Sequence, residues 1–506
     1  MSKVLHIKNL SFALCIALIA LFAACKKSAL PQLNAIPGDA AFVVAIDNKQ
    51  LYIKGQLNKL QDFKFFREIQ REMAYMDDET RQFVENVMKN PGSLGIDLEK
   101  SYLFACEDRY DLFVAMVFKM KNVTAFENNV YRFLQNASGN NLDVKNHNNY
   151  KMVEDNDFAI AWNKNLLILG VNSYSFTSQF DKLFNLPAGN SILNNPDFVD
   201  FNNRSGDLGL WASYSSIIDL ADSHVDMGDI SALQEMAGMY SRVFLDFDKG
   251  ELRLSFEMTP KSEMKHFFRK YPIVKRDFDK KLLSAIPEKS YLTLKQSVDL
   301  AAFMKMVGDI DSDYGDMLND REVREIINGL GGDFILSLYG FAQGPLPIPL
   351  AGLAFNVNSE NDFKNLLEMV PQNMISKKDG HYVINLLGML NVSLYVAFKD
   401  NIVFLTDDIE TVTAFTGKGV SKPMSASALS KTMYNFYINL DIDDYPANVQ
   451  PVLHGYLGYS ANEVLRTLRI LKDFSLTVDN DLKVDVSLKF KDSRQNSLKQ
   501  ILEWIP

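Results

Sequence analysis

The residues with the clearest chemical signature are Phe22-Ala23-Ala24-Cys25, in which small side chains stand directly before a cysteine. That order suits cleavage ahead of Cys25 and transfer of lipid to its thiol, so Cys25 is the expected lipidation site. Phe22 departs from the Leu that usually stands three places before such a cysteine. The plainer alternative is an ordinary signal-peptide cut near Ala24, which leaves Cys25 unmodified. Cys15 competes poorly because bulky Leu14 precedes it.

A second cluster is acidic. Asp309, Asp311 and Asp313 alternate along the chain and Asp320 follows, matching the outer and alternate ligand positions of a calcium loop, where one compact turn must supply many oxygens. Tyr314 stands where such a loop needs Gly, Asp316 replaces an apolar residue, and Asp320 is shorter than the usual Glu. The competing reading is a solvated acidic loop between two helices. Asp441, Asp443 and Asp444 form another acidic knot, read as a strand end and its turn. Ser262 and Lys265 fit the SxxK nucleophile spacing, but its companion SDN and KTG motifs are absent. No phosphate loop, nucleophile elbow or HExxH helix is present, and no cofactor is expected. The histidines His147, His224, His266, His381 and His454 are far apart in sequence. Cys106 lies alone in the apolar run Tyr102–Cys106 and reads as a buried thiol.

The elements that would position Cys25 are legible. Lys3 and Lys8 precede an apolar run from Leu10 to Ala24, too short for the roughly 20 residues that span a bilayer. Residues 1–24 are therefore expected to be a signal peptide, and 25–35 a tether attached to a membrane through the lipid on Cys25. Lys26 and Lys27 follow the cysteine with no Asp and no acidic cluster. By resemblance to lipoprotein sorting signals, this favours the outer membrane, facing the periplasm rather than the cell surface.

At 506 residues, 47% apolar and 23% charged, the chain has enough material for two folded domains. The net charge is −10, and removal of Lys3 and Lys8 with the signal leaves −12. Without a basic stripe, such a chain is a poor nucleic-acid binder. The basic stretch from Lys261 to Lys281 reads as the wet face of a helix and linker, or as a contact for an anionic surface.

Five segments recur in the same order. Ile36–Val44 is echoed by Ile286–Leu294, Phe118 and Phe126 by Phe355 and Phe363, and Ala161–Leu169 by Ala397–Leu405. The alternating run around Asp248-Lys249-Gly250 is echoed around Asp479-Asn480-Asp481, and a helical stretch closes each half, Glu263 to Tyr271 and Asn496 to Trp504. Sequential hairpins predict an α+β fold of two tandem repeats, 36–280 and 281–506, each with antiparallel strands and packed amphipathic helices. Asp62 to Asn90 predicts one long helix ending at Asn90-Pro91-Gly92, with an aromatic and Met stripe that reads as core. The loop Gly344–Pro349 reads as a rigid brace or a docking element.

The cysteine motif, the opening Ile36-Pro37 to Ile46-Asp47 and the duplicated strand–helix–hairpin units together resemble an uncharacterised family of large lipoproteins from Bacteroides-type bacteria, described as a domain of unknown function. The resemblance implies a cell-envelope location and supplies no catalytic residues. The expected function is non-enzymatic binding or scaffolding, with an envelope protein as a possible partner and the oligomeric state open. Ligand capture beside an outer-membrane transporter is the first alternative. A glycan or cell-wall hydrolase with two carboxylates from distant segments is the second. A glycan binder should expose Trp162 or Trp211, although both lie in apolar runs.

Overall fold

Short stretches of β-branched and aromatic residues, separated by Asn, Asp and Gly turns, pair here into antiparallel sheet, mostly but not always with their sequence neighbours. The computed structural model describes residues 30–505 apart from 109–110, 138–142, 156–157, 174, 205, 225–233, 275–277, 288, 311–319, 343–346, 386–392, 418–432 and 480–482. The fold mixes helices with antiparallel strands, and the chain divides into two compact units.

The first unit holds the chain up to Lys261 together with the segment from Arg494 onward. Its strands are β1 (Phe42–Asp47), β2 (Ile96–Asp108), β3 (Asp111–Met120), β4 (Lys145–Asn146), β5 (Lys151–Glu154), β6 (Phe158–Trp162), β7 (Leu166–Val171), β8 (Leu208–Ser213), β9 (Tyr240–Asp248) and β10 (Glu251–Thr259). Their pairing order is β4-β5-β6-β7-β3-β2-β1-β8-β9-β10, antiparallel throughout. One core gathers Tyr102, Phe104, Phe113, Phe180 and Trp211. A second, on helices Phe66–Ala74 and Asp78–Lys89, places Met73, Val84 and Val87 with Met116, Phe118 and half-buried Ile46.

The second unit is Ser262–Ser493. Its strands are β11 (Leu292–Ser297), β12 (Leu330–Phe341), β13 (Pro349–Val357), β14 (Ile375–Lys378), β15 (His381–Asn385), β16 (Ser393–Lys399), β17 (Ile402–Thr406), β18 (Tyr434–Asn439), β19 (Leu471–Val478) and β20 (Val484–Phe490). They pair as β14-β15-β16-β17-β13-β12-β11-β18-β19-β20, again antiparallel and in the same relative order.

The units do not divide at residue 280. Residues 262–274 fold with the second, where Val274 bridges Val298 and the Asp299 N–H reaches the Ile273 carbonyl at 2.8 Å. The closing helix Ser497–Trp504 folds with the first. Its Leu498 and Leu502 stand against Gly55, and Asn496 Nδ2 donates to the Phe247 carbonyl at 2.7 Å.

The long helix expected over 62–90 is two helices, Phe66–Ala74 and Asp78–Lys89. Asp77 breaks it: in extended backbone, its carboxylate accepts the Thr80 N–H at 2.8 Å and the Thr80 hydroxyl at 2.7 Å, starting a new helix. The hairpins follow expectation. β6 and β7 turn at 163–165, and β16 and β17 turn on Asp400 and Asn401, both with positive φ as a tight two-residue turn requires.

Candidate functional site

The sheet of the second unit has an inverted polarity at its centre. Along β11, alternate residues point to opposite faces, and the fully buried set is Thr293, Lys295 and Ser297. Leu292, Leu294 and Gln296, on the other face, are only half-buried. The polar face is closed by Phe278, Leu282 and Leu283 packed on Ile335. Lys295 Nζ sits 4.3 Å from the Phe278 ring centroid, a cation–π contact, and burial pushes its pKa down to about 8. The Ser290 and Ser337 hydroxyls lie 2.9 Å apart on the same side.

The apolar face opens onto a cavity of about 750 Å³. β11 supplies Gln296, and the chain beyond it supplies Val298 and Leu300. Asp299 starts the helix Leu300–Ile310 by accepting the Ala302 N–H at 2.9 Å, and this brings Phe303 to the rim. β12 and β13 contribute Phe334, Leu353 and Phe355, and the helix Glu360–Glu368 contributes Leu366. Ile273 and Met433 complete the wall.

A backbone irregularity shapes its floor. The register of β12 slips between Leu330 and Phe334. Gly332 takes φ +84, and a Cβ there would lie 2.0 Å from the Val298 carbonyl oxygen; a Cβ on Gly331 would meet the Asn356 side chain. The slip turns Asp333 to the polar face, where Oδ2 accepts the Asp279 N–H at 3.0 Å and Asn356 Nδ2 at 3.4 Å. Asp333 is the one carboxylate among the described lining residues, and no Lys, Arg or His lines the cavity among them.

In the first unit the corresponding register positions are Ile46, Met116 and Phe118, which pair as Gln296, Leu353 and Phe355 do. There Met73, Val84 and Val87 pack into the space. Among the described residues the same strand order thus carries a filled space in the first unit and an open one in the second.

The residues singled out by sequence are dispersed. Cys25 and its signal lie outside the described residues, as do Asp311 and Asp313 of the acidic loop and Gly344, Pro345 and Leu346 of the proline loop. Asp309 accepts the Tyr271 hydroxyl at 2.6 Å and pairs with Lys270 at 3.1 Å, contacts that hold its carboxyl below the usual range. Asp320 accepts the Val323 N–H at the start of helix Arg321–Gly329. Among the described residues no group of three His, Cys, Asp or Glu side chains is placed to hold a metal ion. Ser262 and Lys265 are exposed on the first turn of helix Ser262–Lys270. Lys491 binds Asp441 and Asp443 across the acidic knot, 2.5 and 2.7 Å away.

Trp162 and Trp211 are buried. Their indole N–H groups donate to Glu127 at 2.9 Å and Asp197 at 3.0 Å, so neither forms an exposed aromatic platform. Cys106 lies in the core. The cavity residues carried no sequence motif. The signal that could have found them is the combination of Gly331-Gly332 inside a strand with the polar alternation of β11.

Crystal form IV of TP0453 is similar over 45% of this chain and 80% of its own, at 11% identity and a TM-score of 0.26. Crystal form I of TP0453 is similar over 49% of this chain and 87% of its own, at 10% identity and a TM-score of 0.25. No curated protein matches the chain. The family model described as a domain of unknown function (DUF4836) matches residues 33–498, nearly the whole of the described chain, and the protein belongs to that family.

Proposed function

We propose that this chain is a non-enzymatic, lipid-anchored binding protein of the cell envelope whose second unit takes up an apolar ligand. The observation that carries the binding reading is the cavity of about 750 Å³, within the roughly 300–1,000 Å³ typical of small-molecule sites and walled mainly by Leu, Ile, Val, Phe and Met. The one carboxylate among the described lining residues is turned to the other face and engaged there, so those residues offer no acid–base pair for hydrolysis. This favours capture of a ligand over a cell-wall hydrolase.

The anchor and location rest on sequence: the apolar run to Ala24, Cys25, and the lysines after it. With them comes the Bacteroides-type lipoprotein reading and an outer-membrane, periplasm-facing position. We also assign the two units to a tandem duplication. What supports it is the shared strand order and the five recurring segments.

The binding test uses purified full-length protein and N-phenylnaphthylamine, a compact neutral fluorophore. The expected result is saturable fluorescence enhancement, weakened at least about tenfold by Leu353→Trp, which fills the cavity from its wall. No enhancement with the wild type refutes the reading. For the anchor, Cys25→Ala is expected to move the protein from the membrane to the soluble fraction and to abolish metabolic labelling by an alkynyl fatty acid. Retained labelling refutes lipidation at Cys25.

A further inference from the structure

We infer that the ligand is a free single-chain amphiphile whose hydrocarbon tail lies across the apolar sheet face of the second unit with its head left in water; this rests on the binding reading above. The cavity is the deep end of a longer apolar track. Leu353 lines it and pairs with Leu336, which pairs with Leu294. From Leu294 the register continues to Phe436, then Leu476, then Val486. Six strands thus present apolar side chains in one row, each partly exposed, and Leu336 at the centre of the sheet is 40% exposed. A large apolar residue on a central strand normally finds a covering layer.

The row fixes the shape of the occupant. Five interstrand steps of about 4.8 Å span about 24 Å, the reach of an extended hexadecanoyl to octadecanoyl chain. A protein helix fits poorly at the cavity end, because a rod about 10–12 Å across would fill such a volume in under two turns. The wall fixes the chemistry. No cation lines the cavity among the described residues, so a carboxylate or phosphate inserted there would be desolvated without a partner. The inserted part is therefore plain hydrocarbon, and any charge stays at the mouth.

The test is equilibrium dialysis of the full chain against radiolabelled lysophosphatidylcholines from octanoyl to octadecanoyl, below their micelle concentrations. Affinity is expected to rise about fourfold per methylene and to level off near hexadecanoyl. Hexadecanedioate, charged at both ends, is expected to bind at least about tenfold more weakly than hexadecanoate. Leu476→Glu, half-exposed four strands out from Leu353 and beyond the reach of eight carbons, is expected to weaken the long chains and to leave octanoyl and N-phenylnaphthylamine binding unchanged. Binding of N-phenylnaphthylamine without any chain-length dependence overturns the tail assignment and leaves the cavity a ligand site. Binding of neither class overturns both readings. Dimerisation abolished by Leu476→Glu, with no lysolipid bound, assigns the face to a second copy and overturns the inference.

Discussion

A lysine on a central strand with none of its surface in solvent must be held by something, and Lys295 is held by the Phe278 ring with the Asp333 carboxylate nearby. Burial lowers its pKa from 10.5 to about 8, because desolvation disfavours the ammonium; Asp333 opposes that shift only in part. The sign for stability follows. Between about pH 8 and 10.5 the unfolded chain binds more protons at this residue than the folded one, so its contribution rises with pH across that window and is lost as pH falls through 8. Above pH 10 the raised phenols of Tyr339, Tyr437 and Tyr445, each pushed up to about 12 by burial, act in the opposite sense. Denaturant unfolding of the wild type should therefore show stability increasing from pH 8 to 10 relative to Lys295→Met. Parallel pH profiles for the two proteins would refute the assignment. The apolar run through Leu292 and Leu294 is legible as a strand, yet the parity that is fully buried is that of Lys295. Nothing local announces that inversion, because it depends on Phe278 and Leu282 arriving from another segment to close the polar face.

Periodicity finds where helices lie more easily than where they break. The stripe from Phe65 to Val87 was legible as core, and Met73, Val84 and Val87 are buried, but 62–90 is divided by Asp77. The signal was present, an Asp with Thr three places on, in an acidic stretch that reads equally well as a helix surface. The cap makes the break an energetic feature as well as a geometric one. Asp77→Ala should cost about 1 kcal/mol in unfolding of the first unit. Thr80, chiefly through its side chain, holds the Asp77 carboxyl below its usual range. The cap's stability is therefore present above the unfolded carboxylate range and lost as pH falls through the lowered value. Unfolding curves should converge for wild type and Asp77→Ala in acid and separate near neutrality; a constant gap across that range would show that the carboxylate charge does not matter. The hairpins were the most legible elements, since turns such as Asp400-Asn401 encode their own geometry. The cavity was illegible for the complementary reason: it is a space left by side chains from β11, β12, β13 and two helices, and no single segment records it.

At the scale of the whole molecule, the closing helix Ser497–Trp504 completes the first unit although the second unit separates it from the rest of that fold in sequence. Chain order alone assigned it to the second half, because sequence adjacency carries no information about a terminal segment that returns. Its attachment is specific. Gly55 leaves room for Leu498 and Leu502, where a Cβ would already stand 3.2–3.3 Å from both side chains, and Leu502 packs beside Leu57, Leu60 and Phe63. Asn496 anchors the start, accepting the Leu498 N–H and reaching the Phe247 carbonyl. Removing residues 494–506 therefore withdraws one wall of a small apolar cluster in the first unit. Each leucine lost is worth roughly 1.5–3 kcal/mol if fully buried, and these two are half-buried, so Leu502→Asp alone should cost about 1–2 kcal/mol. Hydrogen exchange gives the readout. Both the truncation and Leu502→Asp should accelerate exchange across residues 48–63, with the truncation having the larger effect. Unchanged protection of 48–63 in the truncated protein would mean that the first unit closes its core without its returning helix.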